Sequence, residues 1–251
     1  MYFEIPDGVA PVLAAVFLGG VAHGATGFGF SLMATPIAAA TLGMGTAVPM
    51  MNLLSIILTS MNLYANRKGL LWNEAIRLML ASLPGLACGV LLLRMGDPEL
   101  VKRLLGIVLL GYAIYALVRE IRTRGVAMPP VPQPRPVLNA LAGFSAGFFG
   151  GSCAADGPPV VVYGNLQHWP KERFRAVLQA FFLFNGIMLT TINFFAGYLN
   201  ERIVMLVVCV LPGLFVGSLI GNLISGRLEP NRFRQCVLGM VILMALNLLL
   251  R

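Results

Sequence analysis

Apolar runs of about 20 residues recur along the whole chain, separated by short stretches carrying arginine, lysine, proline or glycine. A helix of that length crosses a hydrocarbon layer about 30 Å thick. Hydrophobic periodicity and breaker residues give ten apolar helical segments, at roughly 9–24, 28–43, 46–65, 73–94, 99–119, 138–150, 152–165, 173–198, 203–227 and 232–250. Six of these are long enough to span; the pairs at 9–43 and 138–165 are short. Only 11% of the residues are charged and 58% are hydrophobic. A soluble domain carries about 25% charged residues to coat its core. The expected fold class is therefore an all-α polytopic membrane protein.

The net charge of +8 does not point to nucleic acid. Its basic residues sit between apolar runs and form no stripe with interleaved aromatics. Retention of basic loops on the cytoplasmic side accounts for them. The cysteines Cys88, Cys153, Cys209 and Cys236 form no CxxC pair and lie in apolar surroundings, so neither a metal nor a disulfide is expected, and no cofactor motif is present. The first residues include Glu4 and Asp7 but no basic run, so residues 9–27 are expected to stay as a membrane helix.

One glycine-rich stretch occurs twice. The first copy runs from Gly19 through Gly20, Gly24, Gly27 and Gly29 to Pro36. The second runs from Gly143 through Gly147, Gly150 and Gly151 to Gly157-Pro158-Pro159. Gly20, Gly24, Gly27 and Pro36 match Gly143, Gly147, Gly150 and Pro159 at a constant offset of 123. The match continues, with Pro84-Gly85 and Gly89 mirrored by Pro212-Gly213 and Gly217 at an offset of 128. These spacings predict two repeats of about five helical segments, residues 1–119 and 137–251, joined by a proline-rich cytoplasmic linker at 120–136. An odd number of crossings per half inverts the second repeat against the first. With the N-terminus outside, thirteen of the eighteen basic residues fall on the cytoplasmic side, which places both termini outside; Lys102 and Arg103 dissent.

Glycine costs about 1 kcal/mol against alanine inside a helix. Two matched glycine-rich stretches in apolar segments therefore predict broken or re-entrant helices, and matched interruptions point to a transporter's binding site. A broken helix presents free N–H groups and a positive dipole end inside the membrane, a natural seat for an oxyanion. Its opposite end offers carbonyls, so a cation stays an alternative. The candidate ligands are the backbone at Gly27, Phe28 and Gly29 and at Gly150, Gly151 and Ser152, with the hydroxyls of Thr26, Ser31 and Ser152.

Polar residues at helical spacing mark interior faces of membrane helices. Asn52, Ser55, Thr59, Asn62 and Asn66 form one such stripe; Gln179, Gly186, Thr190, Asn193 and Gly197 form its repeat mate. These stripes read either as interhelical hydrogen bonding or as cavity lining, and Asn52 and Gln179 are assigned to the cavity. His23 reads as an interhelical hydrogen-bonding group, or as a substrate contact or proton carrier. Asp156 reads as the cap of the next helix or as a functional carboxylate in the membrane. Arg175 reads as an interface anchor or as a cationic gate. Gly85-xxx-Gly89 and Gly213-xxx-Gly217-xxx-Gly221 are expected to let helices pack closely.

At these residues the chain resembles the TauE/SafE family of sulfite and organosulfonate exporters. The resemblance rests on Gly20 to Phe30 with Pro36, then Gly143, Gly147, Gly150 and Gly157-Pro158-Pro159, then Phe174-Arg175-Ala176 with Asn185 downstream. Where the family often has a second glycine before Gly-Pro-Pro, this chain has Asp156, a proton-binding or specificity group. The resemblance implies a multi-pass carrier of the bacterial inner membrane that exports small sulfur-containing anions by alternating access, with proton coupling. Asp156, Arg175 and Asn185 are the coupling or gating candidates. A passive anion channel is the nearer alternative; a membrane-embedded enzyme using His23 and Asp156 is the more distant one. No HExxH motif or nucleophile elbow supports the enzyme.

Overall fold

The computed structural model describes residues 8–123, 136–167 and 169–224, with isolated positions at 242, 245, 246 and 249. All elements in these residues are helical: α1 (Val9–Thr26), α2 (Phe30–Leu42), α3 (Met44–Asn66), a 3₁₀ turn (Arg67–Gly69), α4 (Trp72–Met95), α5 (Pro98–Thr123), α6 (Pro136–Cys153), α7 (Gly157–Leu166), α8 (Lys171–Phe195) and α9 (Glu201–Ile224). The expected tenth segment at 232–250 lies almost wholly outside the described residues, as does residues 124–135 of the expected linker. The linker itself begins later than expected, because α5 continues to Thr123.

Six of these helices, α1, α3, α4, α5, α8 and α9, are long and apolar enough to cross a membrane. Side chains such as Leu80, Met95, Ile107, Phe195 and Leu223 are more than half exposed on the outside of the bundle, where lipid is their natural solvent. The chain is a multi-pass membrane protein.

The short pairs differ from expectation in their proportions. The first member of each pair is the longer, 18 residues in both α1 and α6. The second members, of 13 and 10 residues in α2 and α7, are too short to cross about 30 Å at about 1.5 Å per residue.

Most glycines of the duplicated stretch do not break anything. Gly20 and Gly24 lie inside α1 and press on α9, where an added Cβ would come within 3.0 and 2.5 Å of the Leu214 and Ser218 carbonyls. Gly143, Gly147 and Gly151 lie inside α6 and press on the Leu78, Ser82 and Leu86 carbonyls of α4. Gly85 and Gly89 answer from α4 against Phe144 and Phe148, and Gly217 and Gly221 answer from α9 against Phe17 and Val21. Two backbones approach this closely only where neither carries a side chain, and in lipid such packing is what holds helices together. The helix-packing role expected for the Gly85 and Gly213 series therefore extends to the glycine stretches themselves.

Among the described residues the two most extensive helix pairs are α4 with α6 and α1 with α9. Helix α3 packs on α8 through Gly186, whose missing side chain admits Ile56. This arrangement leaves the α1–α2 and α6–α7 junctions facing the same interior.

Candidate functional site

The first break is a three-residue junction, Gly27 to Gly29, between α1 and α2. Gly27 and Gly29 have φ of +85° and +96°, a backbone region that only glycine enters without strain. Here glycine has the role the sequence implied. Gly29 precedes α2 and no side chain caps the helix. The first-turn N–H groups of Phe30, Ser31 and Leu32 have no intrahelical acceptor, and these three residues line the interior cavity.

The second break is Ala154 to Asp156, between α6 and α7. It is made without glycine. Ala154 takes the left-handed conformation, φ +53°, and closes α6 through Ala154 N–H to the Gly150 carbonyl (3.0 Å) and Ala155 N–H to the Phe149 carbonyl (3.1 Å). Gly150, Gly151 and Ser152 therefore sit in the last helical turn of α6. Ser152 returns its hydroxyl to the Phe148 carbonyl at 2.8 Å. None of the three lines the cavity, in contrast to the expectation from the glycine spacing.

Both breaks open on one cavity. Its walls are Gly29, Phe30, Ser31 and Leu32 from the first break and Ala155, Asp156 and Gly157 from the second. His23, Ser55 of α3 and Phe182 of α8 complete it. The space is narrow, about 20 Å³, room for a single water molecule.

Helix α8 braces the first break. Arg175 donates to the Ala25 carbonyl at 2.6 Å, and its stem covers Gly27. A cation at this end of α1 satisfies an orphan carbonyl and opposes the negative end of the helix dipole. Gln179 donates to the Gly27 carbonyl at 2.7 Å and stands 3.0 Å from His23 Nε2. His23 Nε2 also lies 3.2 Å from Gln179 Oε1, so it pairs with the Gln179 amide in either tautomer, as acceptor from the amide N–H or as donor to Oε1. Thr26 is bonded locally too, to the Ala22 and Phe28 carbonyls at 2.8 and 2.7 Å. Phe28 points away into an edge-on cluster with Tyr112 and Phe174.

Asp156 occupies the N-cap position of α7 but makes no capping bond. Its carboxylate turns to the cavity, and no cation pairs with it among the described residues. Asn185 turns its amide toward it from α8, while Asn185 Oδ1 accepts a 2.8 Å hydrogen bond from Ser82 of α4. His23 and Asp156 share the cavity, yet no hydrogen bond joins them. Asn52 lies one turn from Ser55 on α3 and does not line the cavity; its Nδ2 has no partner.

Of the expected site residues, the structure thus gathers His23, Gly29, Ser31 and Asp156 around the cavity. It sets Thr26, Gly27, Arg175 and Gln179 behind the first break as its supports. Ser55, Phe182 and Ser82 were missed as site residues. Ser55 was legible as a member of the α3 stripe and Ser82 as a lone hydroxyl in an apolar run; Phe182 carries no polar signal.

A family model described as sulfite exporter TauE/SafE matches residues 12–248. That is nearly the whole chain.

The chain belongs to the TauE/SafE family. No curated protein and no solved structure matches it. As a TauE/SafE protein it is a membrane protein of an exporter family, and both of its helix breaks fall inside the matched region.

Proposed function

We propose that the protein is a secondary transporter that exports small sulfur-containing anions such as sulfite or organosulfonates. The anion sits in the cavity between the breaks, received by the N–H groups of Phe30, Ser31 and Leu32 and by the Ser31 hydroxyl. The observation that carries this reading is that two chain interruptions, far apart in sequence, line one hollow between the helices. Main-chain groups left unbonded there need a polar guest.

The family description supports the substrate class. The narrowness of the hollow, with about 20 Å³ open to water, is consistent with a carrier whose site widens as the surrounding helices part. We take the halves to be inverted repeats that rock against each other, with both termini outside the bacterial inner membrane. The negative cell interior then drives the export of a charge by about 2.3 kcal/mol per 100 mV.

Asp156 acts as the coupling group in this scheme. A carboxylate repels a neighbouring oxyanion, so the anion and a proton on Asp156 bind together; the proton offsets one negative charge, and the membrane potential acts only on the net charge that remains. His23 and Gln179 shape the break; their role is positioning.

Purified protein in liposomes, given radiolabelled sulfite, an alkylsulfonate or chloride, tests the function. Saturable sulfite or sulfonate flux with counterflow is expected. Conductive chloride flux that does not saturate would show a channel instead, and no flux or binding for any oxyanion would defeat the reading.

A further inference from the structure

Helix α8 carries a line of side chains at spacings of four, four and three: Phe182, Gly186, Thr190 and Asn193. Such spacing keeps them on one face. Phe182 lines the cavity and Gly186 touches Ile56 and Asn52 of α3, so this face looks at α3. The opposite side of α8, with Ile187, Phe194 and Phe195, is exposed on the outside of the bundle.

The polar atoms on the α3-facing side are buried and unsatisfied. Asn193 is fully buried with neither Nδ2 nor Oδ1 hydrogen-bonded. Thr190 Oγ1 and Asn52 Nδ2 also lack partners. A hydroxyl on a membrane helix can always satisfy itself on its own backbone, and neighbouring ones do. Thr191, one residue away and exposed, donates to the Ile187 carbonyl at 2.8 Å. Thr59 and Asn62, further along α3, donate to the Ser55 and Leu58 carbonyls at 2.6 and 2.8 Å. Buried polar groups in native proteins are nearly always paired with protein or water. A run of donors and acceptors that decline the backbone bond available to them therefore marks where water or a solute passes.

We propose that the seam between α3 and α8, from Phe182 past Asn52 to Thr190 and Asn193, is a hydrated passage joining the cavity to the C-terminal end of α8. Its length is about 16 Å, from eleven residues at about 1.5 Å each. It offers the amide N–H groups of Asn52 and Asn193 and the Thr190 hydroxyl as donors, which suits a small oxyanion. That the guest is an oxyanion rests on the transport reading above; that the seam is wet does not. The Thr59 and Asn62 side, with its hydroxyl and amide turned to their own helix, is closed by comparison.

The test labels cysteines in the full-length protein in liposomes with a small impermeant anion, 2-sulfonatoethyl methanethiosulfonate. Peptide mass spectrometry reads each site, so the native cysteines stay. Thiolates form only where water reaches. The Thr190→Cys and Asn193→Cys variants are expected to react within about tenfold of an exposed Glu201→Cys variant, and a lipid-facing Ile187→Cys variant to stay unmodified. Positions 190 and 193 as inert as 187 would overturn the proposal. Should the cysteine variants fail to fold, Asn193→Leu decides. In a dry seam leucine removes an unpaired amide, so the melting temperature rises and flux is unchanged, which overturns the proposal. In a wet passage flux falls by about tenfold or more with no rise in melting temperature. Labelled positions without flux of any anion would uphold the passage and sink the sulfite reading, so the two failures are distinguishable.

Discussion

Gln179 on α8 donates to the carbonyl of Gly27 at 2.7 Å, across 152 residues of sequence. A residue of the second half thus holds open the break in the first. The same side chain reaches His23, and one helical turn earlier Arg175 holds Ala25. The first break is a braced structure, and the brace is what keeps the N-terminus of α2 aimed at the cavity.

Removing the brace has a stability cost. Gln179→Ala leaves the Gly27 carbonyl without its donor and His23 Nε2 without its partner in a buried site. The expected loss is about 1–3 kcal/mol for each orphaned group, read as a lower melting temperature in detergent. Gln179→Glu has no N–H to give the Gly27 carbonyl and is expected to fare no better. An unchanged melting temperature in both variants would remove Gln179 from the architecture of the break.

The second break predicts a gain. Ala154 has φ +53°, where an L-residue with a Cβ is strained by about 1–2 kcal/mol. Ala154→Gly relieves that strain and returns part of it as unfolded-state entropy. A net stabilisation of up to about 1 kcal/mol is expected by thermal melting, with flux retained. Destabilisation would mean the Ala154 methyl is more valuable than its conformation is costly.

The packing glycines predict losses unconnected to substrate. In Gly147→Ala the new methyl would overlap the Ser82 carbonyl of α4. Overpacking at such a site costs about 1–3 kcal/mol and pushes α6 from α4. Gly111→Ala is the matched control, because nothing lies within 4 Å of a Cβ there. The two variants are expected to separate clearly in melting temperature.

Asp156 predicts a pH signature in transport. In Asp156→Asn the side chain is permanently uncharged, so flux is expected to continue while its dependence on a pH gradient disappears. Flux assays with and without an imposed gradient read this directly. Gradient dependence retained in the variant, with altered anion selectivity, would assign Asp156 to specificity instead.

The all-helical, multi-pass fold could be read from the chain because lipid leaves few options: an apolar run about 20 residues long must be a helix there. The site was less legible, and the glycines show why. A glycine that permits a left-handed turn, as at Gly27 and Gly29, looks the same in sequence as one that permits close backbone approach, as at Gly20, Gly24, Gly143 and Gly147. The second break therefore fell three residues beyond the glycines that seemed to announce it, on Ala154, whose strain no residue-type rule signals. Polar stripes located α3 and α8 correctly as inner helices, but could not separate Gln179, bonded to the break, from Asn193, bonded to nothing. Phe182 was invisible because a cavity wall needs shape there, not polarity.

The central claim is that the anion occupies the hollow between the breaks. Gly157 is the most direct handle on it, since this residue lines the cavity with an ordinary negative φ and a Cβ there would stand 3.9 Å from Phe182. Sulfite counterflow should be measured in liposomes for the native protein and for Gly157→Val, each shown to be folded by thermal melting. Saturable counterflow in the native protein and its loss in the folded variant is the expected result. Counterflow undiminished when the hollow is filled would contradict the account.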